Sequence, residues 1–265
     1  MGKFVCIELF YDKINHGKKG VNDMKILAFD TSNVALSVAV LDDEHLLATQ
    51  TTNIKRNHSS QLMQIIDQTI KTSGLDINDI DRIVVAEGPG SYTGLRIAVT
   101  TAKTLAYAIN AELIGVSSLA LLALNDTQDG VMAPFFNARQ GNVFAGVYEK
   151  KGSELTTLIE DQHISFEDLL NQINQIGKPV NFITTDFEDF RESIENTLVV
   201  PSSHLDGWNA LPNAYYLGLM GLKKNELENV YTAVPQYLRV TEAERNWKDQ
   251  HPNDVKSGSY VRQID

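Results

Sequence analysis

Gly88-Pro89-Gly90-Ser91-Tyr92-Thr93-Gly94-Leu95-Arg96-Ile97-Ala98 follows the short apolar run Ile83-Val84-Val85-Ala86 and leads into small residues as far as Ala106. The order predicts a strand, a glycine-rich turn and a helix. Glycines at 88, 90 and 94 permit positive φ and let a second backbone come close. Ser91 or Thr93 is placed to cap the helix. The amino end of such a helix attracts anions, but the same turn also serves simply as a sharp connection. It is not a P-loop, because the Gly-Lys-Ser/Thr ending is missing.

Upstream, Lys25–Thr31, Ala35–Leu41 and His45–Thr51 are rich in β-formers and separated by short breaks, which predicts antiparallel hairpins. A helix is predicted over Ser59–Thr72, with Leu62, Ile65, Ile66, Thr69 and Ile70 along one face and Gly74 as its stop. After the strand at Asp81–Ala86, the helix Thr93–Ile109 carries an apolar stripe of Leu95, Ala98, Val99, Ala102, Leu105, Ala106 and Ile109. A strand at Leu113–Val116 and a short helix at Ser118–Leu124 complete the unit. A second unit opens near Gly130. Val131–Phe136 and Asn142–Tyr148 form a hairpin around Asn137–Gly141, followed by a strand at Glu154–Glu160. The helix Phe166–Ile176, the strand Val180–Thr184 and the helix Asn213–Leu222 come next. The pattern reads as two α/β lobes, 24–128 and 129–235, with a polar tail over 236–265.

Composition narrows the classes. The chain has 265 residues, 43% of them hydrophobic and 22% charged, as in ordinary globular proteins. No apolar run approaches the ~18–20 residues that span a bilayer, so no membrane role is expected and the cytoplasm is the default compartment. A single cysteine, Cys6, excludes an internal disulfide and a cysteine-based zinc site. The net charge of −11 disfavours autonomous binding to phosphate backbones. The first 23 residues carry four lysines against three acids, so +1, leaving −12 for the remainder. Lys18-Lys19-Gly20-Val21 can be encoded by a purine-rich run resembling a bacterial ribosome-binding site ahead of Met24. Residues 1–23 therefore read as a non-native or disordered extension.

Few groups carry chemistry. Asp30-Thr31-Ser32 closes the first strand; an actin-type ATPase places an acid here to hold a magnesium-bound water while the turn wraps a phosphate. The competing reading is a turn in which Asp30 or Ser32 bonds its own backbone. His58 opens a helix, but the position one turn on, where a second metal-binding histidine would share its face, is Leu62. Asn137-Ala138-Arg139-Gln140-Gly141 reads as a tight turn with Gly141 at unusual φ, or as a device that turns Arg139 towards a cleft between lobes. Both long helices carry apolar or small residues on more than one face: Ile97, Thr101 and Ala108 on the second, and Met63, Ile66 and Ile70 on the first. A helix of that kind is either fully buried or serves an interface.

These residues resemble the TsaB (YeaZ) family. The resemblance rests on Ile26–Ser32, His58-Ser59, Gly88–Arg96, Asn137-Ala138-Arg139 and Pro235–Arg239 with Glu242-Ala243-Glu244, in order over about 24–245. Asn137 departs from it, since the family often has aspartate there. The resemblance implies a two-lobed, actin-like (ribonuclease-H-like, duplicated) fold with a reduced second lobe. It implies a cytosolic, non-catalytic subunit that serves threonylcarbamoylation of the adenosine beside the anticodon in tRNAs reading codons that begin with A. The catalytic paralogue TsaD binds metal through two histidines. TsaB pairs with it, joined by the ATPase TsaE, or self-associates through the same surface. That surface is expected at His58, Leu62, Met63, Ile66, Ile70, Thr93, Arg96, Ile97, Ala98, Thr101 and Ala102. Asp30, Thr31 and Ser32 would be a vestigial phosphate turn, and Gly88, Gly90 and Gly94 the glycine turn. No catalytic residue, metal or cofactor is expected in the chain, with ATP or ADP held by the complex and tRNA met only through it. The alternative is a stand-alone phosphotransferase of the actin-like class, or a metal-dependent, glycoprotease-like hydrolase.

Overall fold

The computed structural model describes residues 23–54 and 58–239; the expected extension lies, but for Asp23, outside these residues. Strands β1 (Lys25–Asp30), β2 (Leu36–Asp42) and β3 (His45–Thr52) form the hairpins that their patterning predicts. β4 (Arg82–Gly88) and β5 (Glu112–Ser117) add in parallel, giving the order β3-β2-β1-β4-β5. Helices α1 (His58–Ser73) and α2 (Tyr92–Ile109) are the crossovers, and α3 (Ser118–Ala123) follows β5. Parallel strands need such crossovers, because a tight turn only reverses the chain.

The second half repeats the plan. β6 (Gly130–Arg139), β7 (Asn142–Lys151), β8 (Glu154–Ser165), α4 (Phe166–Ile176), β9 (Val180–Ile183), α5 (Phe187–Thr197), β10 (Ser202–Leu205) and α6 (Ala214–Lys223) build a sheet ordered β8-β7-β6-β9-β10. Strand for strand this matches the first sheet, so the fold is the duplicated, actin-like one. The second lobe keeps every element and is reduced only in length: its crossover helices have 11 residues each, against 16 and 18 in the first lobe.

The last helix of each half crosses to the other. Ala214 and Leu217 of α6 pack on the first sheet against Ile26, Ala28 and Val84. Leu119 and Leu122 of α3 pack on the second against Met132, Phe136 and Ile183. A polar tie joins the lobes as well. Ser117 Oγ accepts from the Leu119 and Ala120 amides and donates to Asp161 Oδ2 at 2.5 Å, and the Tyr148 hydroxyl donates to Asp161 Oδ1. Burial pushes both the Asp161 carboxyl and the Tyr148 hydroxyl above their usual ranges.

Candidate inter-lobe cleft and helical faces

The glycine turn is a backbone-to-backbone joint. Ser91 caps α2, its Oγ accepting from the Gly94 amide, and its own amide donates to the Ser32 carbonyl at 2.7 Å. A Cβ at Gly90 or Gly94 would overlap the carbonyl oxygens of Ser32 and Thr31, so both glycines are required by closeness rather than by φ. Only Gly88 has the positive φ, +133°, and its peptide bond to Pro89 is cis.

The Asp30-Thr31-Ser32 turn faces this joint. The Asp30 carboxylate accepts from the Ser32 amide at 2.6 Å, and the Thr31 hydroxyl donates to the Gly94 carbonyl at 2.8 Å. All three residues are buried. Burial raises the Asp30 carboxyl to about 6, against the lowering effect of the Ser32 hydrogen bonds. The turn that could have wrapped a phosphate is thus occupied by its own chain.

The outward face expected on α1 and α2 needs correction. Leu62, Ile66, Ile70, Ala98 and Ala102 are at most 4% exposed and pack into the first lobe's core beneath Leu27, Val38 and Ile83. Only Met63, at 47% exposure, with Thr93 and Arg96, turns fully to solvent, while His58, Ile97 and Thr101 are half-buried. The segment 224–239, without regular structure, straps across α2 on its Lys103 and Tyr107 side, away from the Ile97, Thr101 and Ala108 flank. The Glu228 amide donates to the Leu113 carbonyl, Lys103 Nζ donates to the Ala233 carbonyl, and Val230 and Ala233 join the core.

The strap ends in a cleft between the lobes. The Gln236 amide donates to the Glu87 carbonyl at 2.8 Å, and a Cβ at Gly88 would lie 2.5 Å from the Gln236 carbonyl oxygen. Tyr237 stacks on Tyr92 with ring centroids 4.8 Å apart. Arg239 Nη1 donates to the Ala138 carbonyl at 3.0 Å. The opposite wall is the β6–β7 turn, where Arg139, Gln140 and Gly141 all have positive φ, at 68°, 55° and 73°. Two consecutive non-glycine residues in that region are uncommon. Asn137 holds the turn, its Oδ1 accepting from the Arg139 amide at 2.9 Å.

The two readings of the 137–141 turn are compatible: Gly141 takes the unusual φ, and Arg139 lines the cleft. Its meeting with Tyr237 and Arg239 had no sequence signal, since the strap has no periodicity and lies a hundred residues away.

With this geometry the relatives can be placed. A family model described as TsaD, tRNA N6-adenosine threonylcarbamoyltransferase, matches residues 45–247. The tRNA threonylcarbamoyladenosine biosynthesis protein TsaB of Bacillus subtilis is 37% identical over 225 residues, which cover 84% of this chain and 98% of that protein. The chain belongs to the TsaB family. The Haemophilus influenzae TsaB protein is 29% identical over 211 residues, covering 74% of this chain and 84% of its own. A crystal structure from Pseudomonas aeruginosa, of a protein described as similar to peptidase YeaZ, aligns with a TM-score of 0.70 at 26% identity, over 82% of this chain and all of that one.

In this TsaB-family chain the helix that begins at His58 puts Leu62, not a second ligand, on the histidine's face, and packs it in the core. Among the described residues no group of three or more His, Cys, Asp or Glu side chains comes together, and no helix is long and apolar enough to cross a membrane.

Proposed function

We propose that this chain is a non-catalytic subunit in the biosynthesis of threonylcarbamoyladenosine in tRNA. It pairs with the catalytic paralogue TsaD, is joined by TsaE, works in the cytoplasm, and self-associates when alone. The observation that carries this reading is Leu62. The match to the TsaD family model spans the helix, yet the position that would supply the second metal-binding histidine is leucine, 1% exposed in the core. The buried, self-bonded Asp30 supports the same conclusion for phosphoryl transfer, and ATP or ADP is held by the complex rather than by this turn.

The docking face is the outer side of α1 and α2, centred on Met63 and bordered by Ile97, Thr101, Thr93 and Arg96. The test is reconstitution. TsaD and TsaE from the same organism are assayed for modified tRNA with and without this chain. Modification that depends on the chain, with no turnover by the chain alone, is the expected result. Full modification in its absence sinks the reading.

A further inference from the structure

The inter-lobe cleft encloses about 610 Å³, within the usual range for small-ligand sites. Its chemistry is opposite in sign to the chain around it. In a protein of net charge −11, the described residues that line this cleft include two arginines and no acidic residue. Among the described residues neither Arg139 nor Arg239 is paired with a carboxylate. Arg239 donates from Nη1 to the Ala138 carbonyl, which fixes the guanidinium while leaving further donors. The neighbouring cleft beyond the 139–141 turn, which Arg139 also lines, holds Glu167 and Asp189, so an anion is directed to the first. The amino end of α2 adds its partial positive charge there through Ser91 and Tyr92.

The remaining surface is aromatic. Tyr92 and Tyr237 form a stacked pair, and Phe136 and Phe144 lie on the facing lobe. Rings beside unpaired guanidinium groups suit a planar base carrying a phosphate. The described residues of the cleft offer no carboxylate for the magnesium ion that a nucleoside triphosphate brings, since Asp30 is buried and tied to Ser32. We propose that this cleft binds one nucleotide unit of single-stranded RNA, the base against the Tyr92–Tyr237 pair and the phosphate on Arg139 and Arg239. A free nucleoside monophosphate has the same chemistry. The proposal is independent of the subunit reading, because it is tested on the isolated chain.

Binding of fluorescein-labelled pentaadenylate to the full-length chain is followed by anisotropy over a salt series. One phosphate neutralised in the cleft predicts that log Kd rises with log salt with a slope of about 0.7. Arg139→Ala, at an exposed side chain, should weaken binding about tenfold, as loss of one charge-assisted phosphate contact does. Arg239→Lys should keep the slope, and Tyr237→Phe should keep affinity where Tyr237→Ala loses it. Competition separates the sources. Displacement by millimolar AMP shows that the free nucleotide also enters, and failure of AMP to compete assigns the site to RNA. Absence of saturable binding at 50 mM salt (roughly the low-salt end of such series), an undiminished Arg139→Ala variant, or magnesium-ATP competing better than AMP each overturns the proposal.

Discussion

Gly94 and Thr31 share a double contact: the Thr31 hydroxyl donates to the Gly94 carbonyl, and the Thr31 carbonyl occupies the space that a Gly94 side chain would need. The obstacle is backbone, fixed by the β1–β2 hairpin on one side and by the Ser91-capped start of α2 on the other, so neither can yield cheaply. Gly94→Ala is expected to destabilise the chain by about 1–3 kcal/mol or more, the range for overpacking a filled interior. Denaturant unfolding measures it. A midpoint unchanged from the parent would show that the joint is loose.

Partner binding and folding are separable on α1 and α2. Met63→Asp should abolish co-purification with TsaD while leaving the melting temperature within a few degrees, since surface changes are usually within about 0.5 kcal/mol. Ala98→Arg acts differently. Its site is 0% exposed among Leu27, Val85 and Ile66, so it should yield insoluble chain rather than folded monomer. Soluble, folded Ala98→Arg that merely fails to bind would return Ala98 to the interface.

Asp30 makes stability depend on pH with an unusual sign. Its folded-state pKa of about 6 lies above the ordinary carboxylate value of 3.8, so between these values the folded chain holds more protons than the unfolded one. Stability from this group therefore falls as pH rises from about 4 to 6 and is lowest above that window. Asp30→Asn keeps an acceptor for the Ser32 amide and removes the buried charge. It should raise stability at pH 7 by on the order of 1–3 kcal/mol, at about 1.4 kcal/mol per unit, with the gain vanishing near pH 4. A gain independent of pH would contradict the assignment.

The sheets were legible because hairpin alternation and the 3.6-residue stripes of α1, α2 and α4 are strong, local signals. Ser91 caps its helix as the sequence suggests, and Ser165 and Asn213 cap theirs. Two elements escaped. α5 has only Phe187, Phe190 and Ile194 buried among dense charge, and β10 is a four-residue edge strand whose partner β9 is itself only four residues long. The apolar flanks of α2 were legible, but the strap packed beside them was not. A strap of irregular backbone held by carbonyls leaves no pattern, so Val230, Ala233 and the approach of Arg239 to Arg139 become visible only in three dimensions.

Arg82 joins the two halves from inside the first lobe. Its side chain is 7% exposed and pairs with Glu112 at 2.5 Å; Nη1 donates to the carbonyls of Gly221, Leu222 and Lys224, at the carboxyl end of α6. A cation at a helix carboxyl terminus is favourable, and this one also satisfies carbonyls that the helix cannot. Arg82→Leu would leave three carbonyls and the half-exposed Glu112 unanswered. The expected loss is about 1–3 kcal/mol or more, from buried carbonyls left without a donor, the half-exposed Glu112 adding little. Because α6 belongs to the second half of the chain and covers the first sheet, the damage should extend beyond β4. Hydrogen exchange should show lost protection in α6 and in the strap that follows it. Loss confined to β4 and β5 would show that α6 is held by Ala214 and Leu217 alone.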